Sequence, residues 1–432
     1  MRAEHHRRRL RTAAVASIGA LMLAGCASDD GGPTELTWYI NPDDGGQAAI
    51  AEQCSADSGG KYTITTSLLP RDAATQREQL ARRLAAGDRS MDIMSLDPPF
   101  IPELAEPGFL ATPSDELVER TTSDTLDGAK AGAQWDGEYV SIPFWANTQL
   151  LWYRKSVAEQ AGLDMSEPVT WDQIITAAQE QEKFLGVQGI QAESMSVWVN
   201  SLVESAGGSI IQGDAASADT LELALDSEEG RRAADIVGTI GQEGLGGPGI
   251  DTQDENAAME QFRGDDGSFM VNWPFVYSAT QAAVEEGSIE QSVMDDIAWT
   301  TWPRVDEDTP ARPPLGGINL GVGASSEHQD LAWEAVECIS DPANQAEYMV
   351  SDGNPASSAS AYEDTAVQEA YPMHEAIRES LDNAAPRPQT PYYNEISSGI
   401  QQEWTPIHEV SESTPAQSQE FISSVLKGES LL

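Results

Sequence analysis

Basic side chains are scarce in this 432-residue chain. Five Lys and 19 Arg stand against 71 Asp and Glu, for a formal net charge of −47. A surface so acidic is repelled by phosphate backbones and anionic lipid headgroups, which excludes nucleic-acid partners. Cysteine is rarer still: Cys26, Cys54 and Cys338, with no C-x-x-C. Histidine numbers five, and none falls in H-E-x-x-H, so neither a zinc site nor any other metal centre is expected. The chain lacks a Walker motif and a G-x-S-x-G elbow, and its acidic patches do not have calcium-loop spacing. Gly244-Leu-Gly246-Gly-Pro-Gly249 matches G-x-G-x-x-G in letters only. It follows a helical pattern rather than a strand and contains Pro248, so no dinucleotide cofactor is implied, and no other cofactor is expected.

No apolar run reaches the roughly 20 residues needed to cross a bilayer. The nearest approach is at the start, where Arg2, Arg7, Arg8, Arg9 and Arg11 precede a short apolar stretch ending Leu23-Ala24-Gly25-Cys26. This resembles a bacterial lipoprotein signal peptide. The resemblance implies that residues 1–25 are removed, that Cys26 is lipidated, and that the protein is held on the extracytoplasmic side of the cell membrane. The residues around Arg8-Arg9 fit a twin-arginine signal poorly, and the export route stays open. Loss of residues 1–25 takes five Arg and one Glu, moving the net charge to −51. Residues 26–33 are small, polar and rich in breakers, a tether between lipid and fold.

Aliphatic and aromatic residues are plentiful: 40 % of the chain is hydrophobic and it holds eleven Trp. With this length, that supports a real core and two domains. Strand and helix patterns alternate after the tether. Residues 35–40 read as strand, 46–56 as helix, 61–68 as strand, 71–86 as helix and 91–96 as strand. That order predicts an α/β fold with a parallel sheet covered by helices, and ligands beyond the strand C-terminal ends. Two loops sit there: Asn41-Pro-Asp43-Asp44-Gly and Asp97-Pro-Pro. Further along, helices are predicted over 171–186 (with Thr170 as N-cap), 195–206, 227–241, 254–262 and 327–340, and strands over 267–273 and 316–323. The last 70 residues read mostly as helix. In an oxidising space Cys54 and Cys338 either pair or stay buried; a disulfide is predicted, although spacing alone leaves it open.

Three ordered segments resemble the solute-binding proteins of carbohydrate ABC importers. They are Ile142-Pro-Phe-Trp-Ala-Asn147 with Tyr153-Arg-Lys155 and Pro168-Val-Thr-Trp171-Asp172; Phe262-Arg-Gly264 with Met270-Val-Asn-Trp273-Pro; and Gly316-Gly317 to Gly323 with Ser340-Asp-Pro-Ala-Asn-Gln345. The Asp352-Gly-Asn354-Pro355 step departs from the pattern, in which an apolar residue commonly precedes that Pro. The resemblance implies a periplasmic-binding-protein-like fold of two α/β lobes joined by a hinge. The first lobe would hold 34–145 and 313–356, the second 146–312 and 357–432. It also implies a monomer without catalytic residues that closes on a neutral disaccharide and delivers it to the permease subunits. Within the family the segments are most similar to actinobacterial trehalose-binding lipoproteins. Position by position this implies that Asp43, Asp97, Asn147, Glu255 and Arg387 hold hydroxyls while Trp273 stacks on a sugar face, with Asn41 and Trp145 lesser candidates.

Plainer roles exist for each. Trp273 at a strand end also fits a core, Asp97 before two prolines fits a turn cap, Glu255 fits a solvated helix face, and Asn147 fits a hinge backbone partner. Arg387, between two prolines in a segment poor in charge, has the weakest alternative. The rival function is a lipid-anchored extracellular glycoside hydrolase, which needs two carboxylates about 5–10 Å apart across one cleft.

Overall fold

In the strand Thr34–Ile40 the side chains of Leu36, Trp38 and Ile40 enter one buried cluster and Tyr39 enters another. Both faces of the sheet are therefore covered, as a parallel sheet requires. The computed structural model describes residues 32–213 and 215–432; the expected signal peptide over 1–25 and the expected lipidation site Cys26 lie outside the described residues. Five strands form the first sheet in the order Tyr62–Leu68, Thr34–Ile40, Ile93–Leu96, Gly316–Val322, Ile142–Asn147. The first three are parallel, and Gly316–Val322 runs antiparallel to both of its neighbours. Helices Gly46–Asp57 and Gln329–Ile339 pack on one face. Cys54 and Cys338 join them in a disulfide, with Cα atoms 5.9 Å apart across 284 residues of sequence.

A second sheet of four strands has the order Ile297–Thr300, Leu150–Arg154, Gly267–Asn272, Phe184–Gly186. Its core gathers Trp171, Trp198 and Trp302, with Phe269 and Val271 from the sheet. The chain thus folds as two α/β lobes. It passes from the first sheet to the second through Thr148 and Gln149, and returns at Gly316.

The predicted elements match closely in the first lobe. One in the second lobe does not: the helix expected over 171–186 ends at Glu180. Its start is as read, with Thr170 and Gln173 forming a reciprocal capping box. Its end comes where Glu182 adopts φ 54, a left-handed turn that stops a helix, and Phe184–Gly186 leaves as a strand beside Gly267–Asn272. The apolar run there is too short for periodicity to separate strand from helix. The Gly244–Gly249 stretch is a turn between helix Glu228–Gln242 and a short 3-10 helix, with Gly244 and Gly247 at positive φ. Among the described residues no helix is long and apolar enough to cross a membrane.

Candidate functional site

Asp97 follows the strand Ile93–Leu96 at its C-terminal end. The next two residues are Pro98 and Pro99, which have no N–H to offer a capping side chain. The Phe100 N–H is taken by the Asp97 carbonyl at 3.1 Å. The Asp97 carboxylate makes no cap bond and turns instead to Arg387, whose Nη2 donates to Oδ1 at 2.6 Å. The double proline therefore removes the turn-cap role and leaves an acceptor at the sheet edge.

Arg387 lies in an extended segment held at two points. Ala385 exchanges backbone bonds with Pro313 and Leu315, and Asn200 Nδ2 donates to the Pro386 carbonyl at 3.2 Å. The guanidinium is 6 % exposed. Its Nη1 donates to Glu193 Oε1 at 2.7 Å. Glu193 also accepts from the Tyr393 hydroxyl and from Ser397 Oγ at 2.6 Å. Burial works against the Arg387 charge, but the Asp97 and Glu193 carboxylates outweigh it and hold the guanidinium protonated beyond its ordinary range. Burial pushes the Asp97 carboxyl up, and Arg387 only partly offsets this. Tyr393 touches the first lobe as well: its ring meets Phe100 edge-on, with centroids 5.6 Å apart.

A second group stands close by. Asp254 caps helix Glu255–Arg263 through the Ala257 N–H at 2.8 Å, which places Glu255 in the first turn. Burial raises the Glu255 carboxyl, its own backbone N–H offsets part of this, Asp254 adds to the shift, and the nearby Trp273 indole works the other way. Glu255 is thus not on a solvated face. Asn272 ties the pair together, donating through Nδ2 to the Glu255 carbonyl at 2.8 Å and accepting the Trp273 N–H at 2.9 Å. The Trp273 ring lies over Gly316, where a Cβ would come within 3.1 Å of it, and Asn147 pairs with Gly316 in register. Trp273 is half-buried and outside the hydrophobic clusters. Asn147 Oδ1 accepts from the Thr148 N–H at 3.0 Å, a local backbone bond at the crossing. The two groups share one strand approach: Leu315 bonds Ala385, two residues before Arg387, and Gly316 lies under Trp273.

Asn41 and Asp43 form a third group on the neighbouring strand, whose register (Tyr39 opposite Met94) sets residues 41–42 beside 96–97. Asn41 Nδ2 donates to Gln76 Oε1 at 3.1 Å, while its buried Oδ1 has no protein partner. Asp43 is committed to the backbone: its oxygens accept from Gly45 N–H at 3.2 Å and Gln47 N–H at 2.8 Å, starting helix Gly46–Asp57. Trp145 has a buried indole N–H without a protein partner.

Sequence reasoning missed Glu193, Tyr393, Thr148 and Gln149. Thr148 Oγ1 and Gln149 Oε1 are buried without protein partners at the crossing, and Gln149 Nε2 reaches Gln188 at 3.4 Å. A polar pair straight after Asn147 was the available signal. Glu193 and Tyr393 left none, because they meet only across 200 residues of chain. Among the described residues no His, Cys, Asp and Glu group is arranged to hold a metal ion.

The profile of the family described as bacterial extracellular solute-binding protein matches residues 47–346. A probable ABC transporter-binding protein of Deinococcus radiodurans is 26 % identical over 278 residues, 60 % of this chain and 62 % of that protein. A mannitol-binding protein of Pseudomonas aeruginosa is 26 % identical over 98 residues, 23 % of this chain and 22 % of that one. The chain therefore spans about three fifths and one fifth of the lengths of these two relatives. Among solved structures, maltose-bound MalE3 of T. maritima superposes with a TM-score of 0.74 at 22 % identity, covering 91 % of this chain and 99 % of that one. The cyclic alpha-maltosyl-1,6-maltose binding protein of Arthrobacter globiformis gives 0.70 at 21 %, covering 92 % and 100 %. These likenesses establish the two-lobed fold.

Proposed function

The chain belongs to the bacterial extracellular solute-binding proteins, and from that premise we propose that it binds a neutral disaccharide, trehalose, between its lobes and delivers it to an ABC permease. The observation that carries this reading is the convergence of Asp97 and Arg387 with Glu255 and Trp273 on one strand approach at the lobe junction. Carboxylates accept hydroxyl hydrogens, a guanidinium donates in a fixed fork, and an indole covers the C–H face of a pyranose. Asn147 stands beside Trp273 and adds a side chain that both donates and accepts. Asn41 contributes at the rim through its unpartnered Oδ1, and Asp43 acts chiefly by fixing the loop that carries it.

Several relatives by fold support the sugar class through what they bind: maltose, cyclic maltosyl-maltose and maltotetraose. Ribitol and mannitol binders share the fold too, so polyols belong in the test. Calorimetric titration with trehalose, maltose, maltotetraose and mannitol decides. Trehalose binding in the micromolar range or tighter is expected. Binding of another saccharide alone would replace trehalose, and silence from all four would end the sugar reading. Cys26 as a lipid anchor belongs to the same proposal, since a tethered receptor stays beside its permease. Mass spectrometry of the membrane-extracted N-terminus tests it: Cys26 carrying a diacylglyceryl thioether on Sγ is expected, and an unmodified Cys26 thiol would refute it.

A further inference from the structure

We propose that Glu193 is a positioning residue: it fixes the Arg387 guanidinium in the second lobe with its other edge facing Asp97 of the first. Glu193 stands in the first turn of helix Glu193–Ser205, whose Trp198, Val199 and Leu202 are set in the second-lobe core. That core makes it a rigid post. Both of its oxygens are engaged. Oε1 accepts from Arg387 Nη1 and the Tyr393 hydroxyl, and Oε2 from Ser397 Oγ at 2.6 Å and Gln401 Nε2 at 3.5 Å. All four donors come from residues 387–401, and helix Tyr393–Glu403 packs on the Glu193 helix. The Asp97 carboxylate, by contrast, receives a hydrogen bond from Arg387 alone among the described residues.

The asymmetry decides what happens when the lobes part. Arg387 keeps the partner that is itself held by three further donors, and the Asp97 contact breaks. Glu193 then holds one edge of the fork while the other edge, Nη2, is freed together with the Asp97 carboxylate. A planar fork pinned along one edge presents the other with little freedom left to lose on binding, which is how preorganisation raises affinity. Tyr393 reinforces the arrangement, with its hydroxyl on Glu193 and its ring on Phe100 of the first lobe. Among the described residues Glu193 makes no hydrogen bond of its own to the first lobe; its hydrogen-bonded link to Asp97 runs through Arg387, and so it acts through that residue.

The test is a double-mutant cycle in the full chain with Glu193→Gln, Arg387→Met and the two combined. The first readout needs no ligand: the radius of gyration by solution X-ray scattering. Each single variant is expected to shift the population toward the open form, and the double variant to match Arg387→Met alone. Additive opening, or no change with Glu193→Gln, would overturn the proposal; a merely structural Glu193 gives that additivity. The second readout rests on the sugar reading: affinity for the saccharide that the wild type binds. Glu193→Gln is expected to lose about five- to tenfold, with no further loss in the Arg387→Met background. Glu193→Asp, which keeps the charge, should recover part of the loss, and it serves as the working variant should Glu193→Gln fail to fold. A wild type that binds no saccharide while the scattering cycle holds removes the sugar reading and leaves Glu193 standing. Saccharide binding with an additive cycle does the reverse.

Discussion

Arg387 and Trp273 are the two side chains on which the binding proposal depends most. Arg387 sits between two carboxylates with 6 % exposure, so removing it leaves Asp97 and Glu193 facing each other across the junction. Trp273→Ala removes a half-buried ring that packs on Gly316 without belonging to a core cluster. Each of Arg387→Ala and Trp273→Ala is expected to weaken trehalose binding by about 1–3 kcal/mol, measured by calorimetry. Protonation gives a second check. Asp97 and Glu255 have carboxyl pKa values raised by burial, so they take up protons at higher pH than ordinary carboxylates. As pH falls toward the ordinary carboxylate range, both lose acceptor charge early, and affinity should fall before the exposed acids titrate. The sign for stability is the opposite. A raised folded-state value means the folded protein binds protons more tightly than the unfolded chain, so these two groups favour folding more at acid pH and less as pH rises through their values. Dissociation constants measured from pH 7.5 down to about 4.5 should show the early weakening.

At the level of elements, Gly317 combines two constraints. It has φ 113, and a Cβ there would lie 2.3 Å from the Trp145 carbonyl oxygen. Both strain and overlap act against any side chain, so Gly317→Ala should destabilise by more than the ~1 kcal/mol of an ordinary glycine exchange, as thermal or urea unfolding will report. Much of this level was legible in advance. The three leading strands announce themselves by alternation in Glu35–Ile40, by the Thr-rich run before Leu68, and by the short apolar Met91–Leu96. Strand Phe184–Gly186 did not, because its four-residue apolar neighbourhood continues the apolar spacing of the preceding helix and only the backbone turn at Glu182 separates them. The candidate site shows the same divide. Asp97 was visible because it directly follows a readable strand at its C-terminal end, while Glu193 was not, since its meaning comes from Ser397 and Tyr393, 200 or more residues away.

Charge dominates the behaviour of the whole molecule. A formal net charge of −47, or −51 without residues 1–25, repels itself, and that repulsion is screened within about 10 Å at 0.1 M salt. Thermal stability should therefore rise between 10 and 300 mM NaCl, by a few degrees in a melting scan; a fall would mean that the surface ion pairs outweigh the repulsion. The Cys54–Cys338 bond acts at this scale too. Reduction, or Cys338→Ser, is expected to cost about 2–5 kcal/mol of unfolding free energy, read by denaturant titration.

The same bond turns residues 54–338 into a covalent ring. Both passages between the sheets, at Thr148-Gln149 and just before Gly316, lie on that ring. A single protease cut at either passage opens the ring but severs nothing. The two lobes stay one molecule, and a nicked protein runs as two fragments only on a reducing gel. The chain crosses a third time between Tyr348 of the first-lobe core and Ile396 of the second, outside the ring, so the bond guards the first two crossings and leaves the third to the backbone alone.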